Sequence, residues 1–187
     1  TGWVDVGPTL VPATADARPV VDIQFAGAVP YVAHHDGAVA RVRYFDGAVW
    51  DEVGAPGFTT MCMALEGLRF VLDGTEPHVT YMGAGGCGLG VGYFYHDAVG
   101  WHHFPSTTGF PGTELVTMDG NGVSDVAYTD RAYVATGVHE AHRVKVWDAM
   151  GGDWADHGSA LEMNADTGWQ EDRAMAVDAS GNLYVAW

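Results

Sequence analysis

The stretch YFDGAVWDEVG, Tyr44 to Gly54, gathers three acids and three aromatics into 11 residues. Its composition suits a binding motif. Its recurrence argues for something else. A cousin stands at Phe94 to Pro105, FYHDAVGWHHFP, and another at Val146 to Gly158, VWDAMGGDWADHG. The first residues, TGWVDVG, read as the tail of the same phrase.

Two rulers measure the repeat. The tryptophans Trp3, Trp50, Trp101 and Trp154 are separated by 47, 51 and 53 residues. A short apolar segment recurs as PYVAH, PHVTY, AYVAT and LYVAW, and its central Val32, Val79, Val134 and Val185 are 47, 55 and 51 apart. Two markers that share no residues keep one period, which makes the repeat structural rather than accidental.

Each unit resolves into four strands, a to d. The first unit runs PVVDIQFA (19–26), VPYVAHH (29–35), ARVRYF (40–45) and VWDEV (49–53). The second runs LRFVLD, PHVTYM, GVGYFYH and VGWHHF, and the third VSDVAYT, AYVATGV, HRVKVW and GDWADH. The segments are β-branched and aromatic and bounded by Gly, Asp, Asn and Pro, as strands and hairpins require. No helical period is sustained, and 159–172 offers at most one short turn of helix. A four-stranded sheet cannot bury both faces alone, and a period of roughly 40–50 residues is that of a propeller blade. The expected fold is therefore all-β: one β-propeller domain over 1–187, with blades near 19–54, 68–105 and 122–158, and a composite blade from 173–187 with 1–7.

Within a blade, Asp46–Gly47, His96–Asp97 and Asp148 fall in the c–d turn. Asp and Gly there provide local hydrogen bonds and the positive φ of tight turns. The following Trp begins strand d, where a large aromatic packs between blades. The arrangement resembles the Asp-box of sialidase-like propellers, which also sets Asp, Gly and an aromatic at this turn. The Ser or Thr that precedes the Asp in that pattern is replaced by Tyr44, Tyr95 and Val146. Asp-boxes are architectural, so the resemblance implies a structural role for Asp46, Gly47, Trp50, Asp97, Trp101, Asp148, Trp154 and Trp3. It imports no sialidase chemistry, and kelch and WD signatures are absent.

The composite blade lacks a strand c. Three arrangements accommodate that count: a four-bladed ring closed within one chain, a half-ring completed by a homodimer, or a piece of a longer propeller. The lack of an initial Met and of a visible signal peptide points to a processed, tagged or truncated start.

Charge narrows the partners. The chain has 24 acidic and 8 basic residues, Lys145 being its one lysine, for a net charge of −16. Such a surface repels phosphate backbones, so no nucleic-acid partner is expected. No apolar run is long enough for a membrane span. Cys62 and Cys87 give one disulfide or none, match no metal spacing, and suit a secreted or cell-surface origin.

Function in a propeller resides in the loops. The b–c connections differ between units: HHDGAV (34–39), GAGGCGLG (83–90) and GVHEAH (137–142). His34, His35, Asp36, His139, Glu140 and His142 are the loop-face candidates, either as solvent-exposed polar residues or as imidazoles converging on a transition metal. The glycine run at 83–90 lacks the Lys and helix of a phosphate loop and reads as a tight turn. In DGNGVSD (119–125), Asp119, Asn121 and Asp125 hold the alternate places of an oxygen-rich loop. That loop resembles the calcium loop of FG-GAP repeats, which implies bound calcium. A plain Asn-Gly turn is the other reading. No other cofactor is evident.

Asp51 and Glu52 are adjacent in a strand and point to opposite faces, which argues against a catalytic pair. His102 and His103 fall on the outer strand d, as a solvated edge. No nucleophile elbow or cofactor fingerprint is present. The expectation is a non-catalytic module that binds a carbohydrate or protein partner through its loop face, with Trp169, Phe58 and Phe110 as exposed aromatics. The alternative is a glycan-active hydrolase or lyase with carboxylates dispersed over several blades.

Overall fold

A computed structural model describes residues 6–8, 10, 21–35, 39–55, 57–58, 64–84, 90–103, 115–116, 125–128, 131–138, 141–159, 174–178 and 180–186. These residues are all-β, in antiparallel sheets whose strands follow chain order. The first sheet holds β1 (Val21–Ala26), β2 (Val29–His35), β3 (Ala40–Phe45) and β4 (Trp50–Glu52). The second holds β5 (Ala64–Asp73), β6 (Glu76–Ala84), β7 (Gly90–His96) and β8 (Trp101–His103). A short β9 (Leu115–Val116) pairs with the other half of β7, against Val91 and Gly92. The third holds β10 (Asp125–Tyr128), β11 (Ala132–Val138), β12 (Ala141–Asp148) and β13 (Asp153–Asp156). The last is the hairpin of β14 (Ala174–Val177) and β15 (Leu183–Ala186).

The three four-strand units are present, with two departures inside them. Strand a of the second unit begins at Ala64 rather than Leu68, with a register shift between Leu65 and Gly67. Strand β9 was not expected. Its two residues complete the edge of β7 that the short β8 leaves open. Of the strand d expected at 1–7, residues 1–5 lie outside the described residues, Trp3 among them. Val6 and Gly7 are described and are not in a strand.

Register carries the repeat into three dimensions. Val32 stands opposite Ile23, Val79 opposite Phe70, Val134 opposite Val126 and Val185 opposite Met175. Strand residues alternate between faces, so each sheet has two. One face of the first sheet, with Tyr31, Ala33, Ala40 and Val42, packs on Leu68, Phe70, Val79, Tyr81 and Phe94 of the second. The opposite face of the second sheet packs through Tyr93 and Val71 on Ala132, Tyr128 and Trp154 of the third. The third in turn uses Val144 and Tyr133 against Met175, Val177, Leu183 and Val185. Each sheet thus meets the next through equivalent faces. The strands a lie side by side in sequence, β1 against β5, β5 against β10 and β10 against β14. At the first junction Phe70 N–H donates to Asp22 Oδ2 (2.9 Å), so strands β1 and β5 are joined by a hydrogen bond as well as by apolar burial.

Candidate functional site

The b–c ends of the sheets are the first candidate, because the sequence places the histidines there. His34 and His35 are not exposed loop residues. They close β2 and are buried, His34 opposite Val21 and Arg41, His35 opposite Ala40. The strand period continues through both, and each ring falls on a face that packing covers. A loop-face role for them is therefore corrected. His142 lies in β12 opposite Gly137 rather than in a loop. Asp36, His139 and Glu140 lie outside the described residues. Asp119 and Asn121 do too, while Asp125 opens β10 opposite Ala135. That is the register place of Asp22, which faces Ala33. Cys62, Cys87, Phe110 and Trp169 also lie outside the described residues. Phe58 is not an exposed aromatic. It stacks on Trp101 at 4.0 Å between centroids and packs on the first core cluster.

The c–d hairpins are the second candidate. Ala48 and Val49 N–H donate to Asp46 Oδ1 (2.7 and 2.8 Å), and Asp46 N–H donates to Val49 O. Val99 and Gly100 N–H donate to Asp97 Oδ1 (2.7 and 3.2 Å), which also lies 3.0 Å from His102 Nε2. Met150 N–H donates to Asp148 Oδ1 (2.9 Å). The bonds from Val49 and Ala48 hold the Asp46 carboxyl below its usual range, and the bond from Val99 foremost does the same for Asp97. Such turns favour Asp because its short carboxylate reaches the amides of the bend. Gly47 takes φ 106°, and no described non-Gly residue has positive φ. The rings at the ends of the hairpins meet across strands: Phe45 is tilted against Trp50, and His96 and Trp147 meet Trp101 and Trp154 edge-on.

These tryptophans also reach out of their own sheets. Trp101 Nε1–H donates to Val53 O (2.9 Å), at the end of strand d of the preceding unit. Trp50 Nε1–H donates to Val6 O (3.2 Å) in the same manner. In both cases the acceptor stands three residues after a Trp of the repeat and is followed by a glycine of positive φ, Gly7 at 70° and Gly54 at 69°. A Cβ on Gly54 would lie 2.6 Å from His96 Nε2 and 3.0 Å from Trp101 Cδ1. One on Gly7 would lie 2.6 Å from Phe45 Cε2 and 3.2 Å from Trp50 Nε1. Glycine is needed because the backbone passes directly over the hairpin rings. The periodic Trp is legible in sequence. Its acceptor in another unit is not.

A third cluster fills the junction of the second and third sheets. The buried His78 ring stacks on Tyr128 (3.8 Å) and Tyr95 (5.9 Å), and its Nδ1 is hydrogen-bonded to Tyr93 Oη at 3.0 Å. Burial lowers the His78 pKa from 6.5 to about 4 and pushes Tyr93 well above its ordinary value. The imidazole is neutral at physiological pH, held by packing rather than by a charged partner. Neighbouring Asp51 and Glu52 separate as their alternation requires: Asp51 is exposed, while Glu52 pairs with Arg41 (2.9 Å) and Arg43 (3.3 Å). Asp178, in the last hairpin, is held at about 2, chiefly by the Asn182 side chain and also by Asn182 and Ser180 N–H and Tyr184 Oη.

Among the described residues no group of three or more His, Cys, Asp or Glu side chains is placed to hold a metal ion. Among them, too, no helix is long and apolar enough to cross a membrane. No protein-family model matches the chain, and neither a curated protein nor a solved structure shows significant similarity to it.

Proposed function

We propose that the chain is a β-propeller module that acts by binding or scaffolding, presenting its b–c connections to a carbohydrate or protein partner. The observation that carries the reading is the repeated junction. Equivalent faces meet at successive sheets, strands a lie side by side, and tryptophans bond to the preceding unit. Stacking of this kind brings the ends of strands b and the starts of strands c, His35 and Ala40, Ala84 and Gly90, Val138 and Ala141, to the corresponding end of each sheet, and the reading assigns the b–c connections to that end. Their sequences differ while the strands beside them repeat, which separates a constant framework from a variable surface. The Asp of the three hairpins and the Trp of the first two serve the framework: their polar atoms are engaged in turns and junctions.

The test is an array of plant, microbial and animal glycans, with a parallel pull-down. Each uses the wild-type chain and a variant whose b–c connections are replaced by Gly-Ser of equal length. The reading expects a ligand held by the wild type and lost by the variant, with the far-ultraviolet β signature unchanged. A ligand retained equally by both would overturn the loop-face assignment. Silence in both assays would overturn the binding role.

A further inference from the structure

The junction of the second and third sheets departs from the repeat at places that touch. By register, His78 is the counterpart of Tyr31 and Tyr133, and Tyr93 is the counterpart of Val42 and Val144. A tyrosine and a valine therefore suffice for this layer at the first and third junctions. The second junction carries a histidine and a tyrosine instead, joined by a hydrogen bond of 3.0 Å between His78 Nδ1 and Tyr93 Oη. The hairpin packed on them departs as well. Trp147 is the counterpart of Phe45 and His96, so the third hairpin pairs two indoles where the first two pair one indole with another ring. Function is expected where a chain breaks its own repeat without a packing reason.

These side chains form one line. Trp147 meets Trp154 at 5.6 Å between centroids, Trp154 meets Tyr93 at 5.3 Å, and Tyr93 is bonded to His78. The line runs inward: Trp147 is half-buried, Trp154 is buried, and Tyr93 has no exposed surface. Tyr128 and Tyr95 stack on the His78 ring and pack the same junction. Burial keeps that ring neutral, so Nδ1 offers a lone pair and the phenol donates to it. The reverse bond would leave a buried O–H in need of another acceptor. Indole and phenol are readily oxidised by one electron. An oxidised phenol is a strong acid, and in a low-dielectric site it needs a proton acceptor within hydrogen-bond reach.

We propose that Tyr93 and His78 form a one-electron redox site, reached from the surface through Trp147 and Trp154. A one-electron oxidant takes an electron from Trp147, and the vacancy passes to Trp154 and then to Tyr93. As the electron leaves Tyr93, its O–H bond breaks and an N–H bond forms at His78 Nδ1. The products are the reduced oxidant, a neutral tyrosyl radical and an imidazolium, with both indoles restored. One electron from a reductant reverses both transfers. Burial disfavours the imidazolium, but the oxidised phenol is a far stronger acid than an imidazolium of pKa about 4. Cationic metal complexes are the class of oxidant that a net charge of −16 draws to the surface.

The test oxidises the full chain with photogenerated tris(bipyridine)ruthenium(III) and reads the radical in frozen samples by electron paramagnetic resonance. The wild type should give a tyrosyl spectrum. Tyr93→Phe and His78→Phe should each lose it and leave an indole radical, the first for want of the phenol, the second for want of the proton acceptor. Trp147→Phe places the first hairpin's residue in the third and should lose the tyrosyl signal because the path is cut. A tyrosyl signal undiminished in any of these variants overturns the proposal. A second measurement needs no variant to fold. Electron–nuclear double resonance of the wild type in light and heavy water should show one ordered, exchangeable proton hydrogen-bonded to the radical oxygen. A radical without that proton, or no tyrosyl radical at all, overturns the proposal.

Discussion

The buried His78 gives a pH dependence with a defined sign and window. Its pKa is lowered from 6.5 to about 4 by burial, so the folded state holds the ring neutral where the unfolded chain protonates it. The stabilising contribution is complete above pH 6.5. It declines as pH falls from 6.5 toward 4 and declines no further below that. The difference corresponds to about 3 kcal/mol, at about 1.4 kcal/mol per pH unit through the middle of the window. His78→Tyr removes the titration and inserts the residue that Tyr31, Tyr133 and Tyr184 supply at the same register. Denaturant unfolding of both proteins at pH 7.5, 6, 5 and 4 measures the slopes. The wild type should lose about 3 kcal/mol more than the variant over that range, whatever their difference at pH 7.5. Carboxylates held low, Asp46, Asp97 and Asp178, act at more acid pH and are common to both proteins. Equal slopes, or a His78 ring titrating near 6.5 by NMR, would refute the reasoning.

Two further outcomes follow from the hairpins. Trp101→Phe keeps most of the stacking on Phe58 but loses the indole bond to Val53 O, and should cost about 1–2 kcal/mol in denaturant unfolding; unchanged stability would show that the bond contributes nothing. Asp46→Ala should lower the melting temperature while Asp46→Asn restores most of it, since an amide oxygen can accept the same bonds from Ala48 and Val49; equal melting of all three would dismiss the capped turn.

The units were legible because a repeat states its constraints several times over. Val32 and its counterparts, the Trp series and the Asp turns each recur at one spacing, and the structure keeps the Val residues and Trp50, Trp101 and Trp154 in one register. What stayed hidden is non-local. His34 and His35 read as polar loop residues because composition outweighed the strand alternation that carries them into the sheet. His78 looked like an ordinary strand residue, since the Tyr128 ring that covers it belongs to another unit. Phe58 follows a glycine-bounded turn and gave no sign that Trp101, far along the chain, would receive it. Strand β9 has only two residues, too few for a period to show, and forms because β7 outruns β8. The candidate site was the least legible part, because burial and junction contacts are decided between sheets.

The junction of the first two sheets is fastened along both margins. Asp22 grips Phe70 where β1 meets β5, and Trp101 grips Val53 where β8 meets the end of β4. Two sheets joined at a single margin can swing like the covers of a book about its spine. Joined at both, neither margin can serve as a hinge without stretching the bond at the other. The angle between the sheets is then held by two side chains as well as by the apolar residues packed between them. A substitution at one margin would do more than weaken the junction: it would turn the opposite margin into a spine.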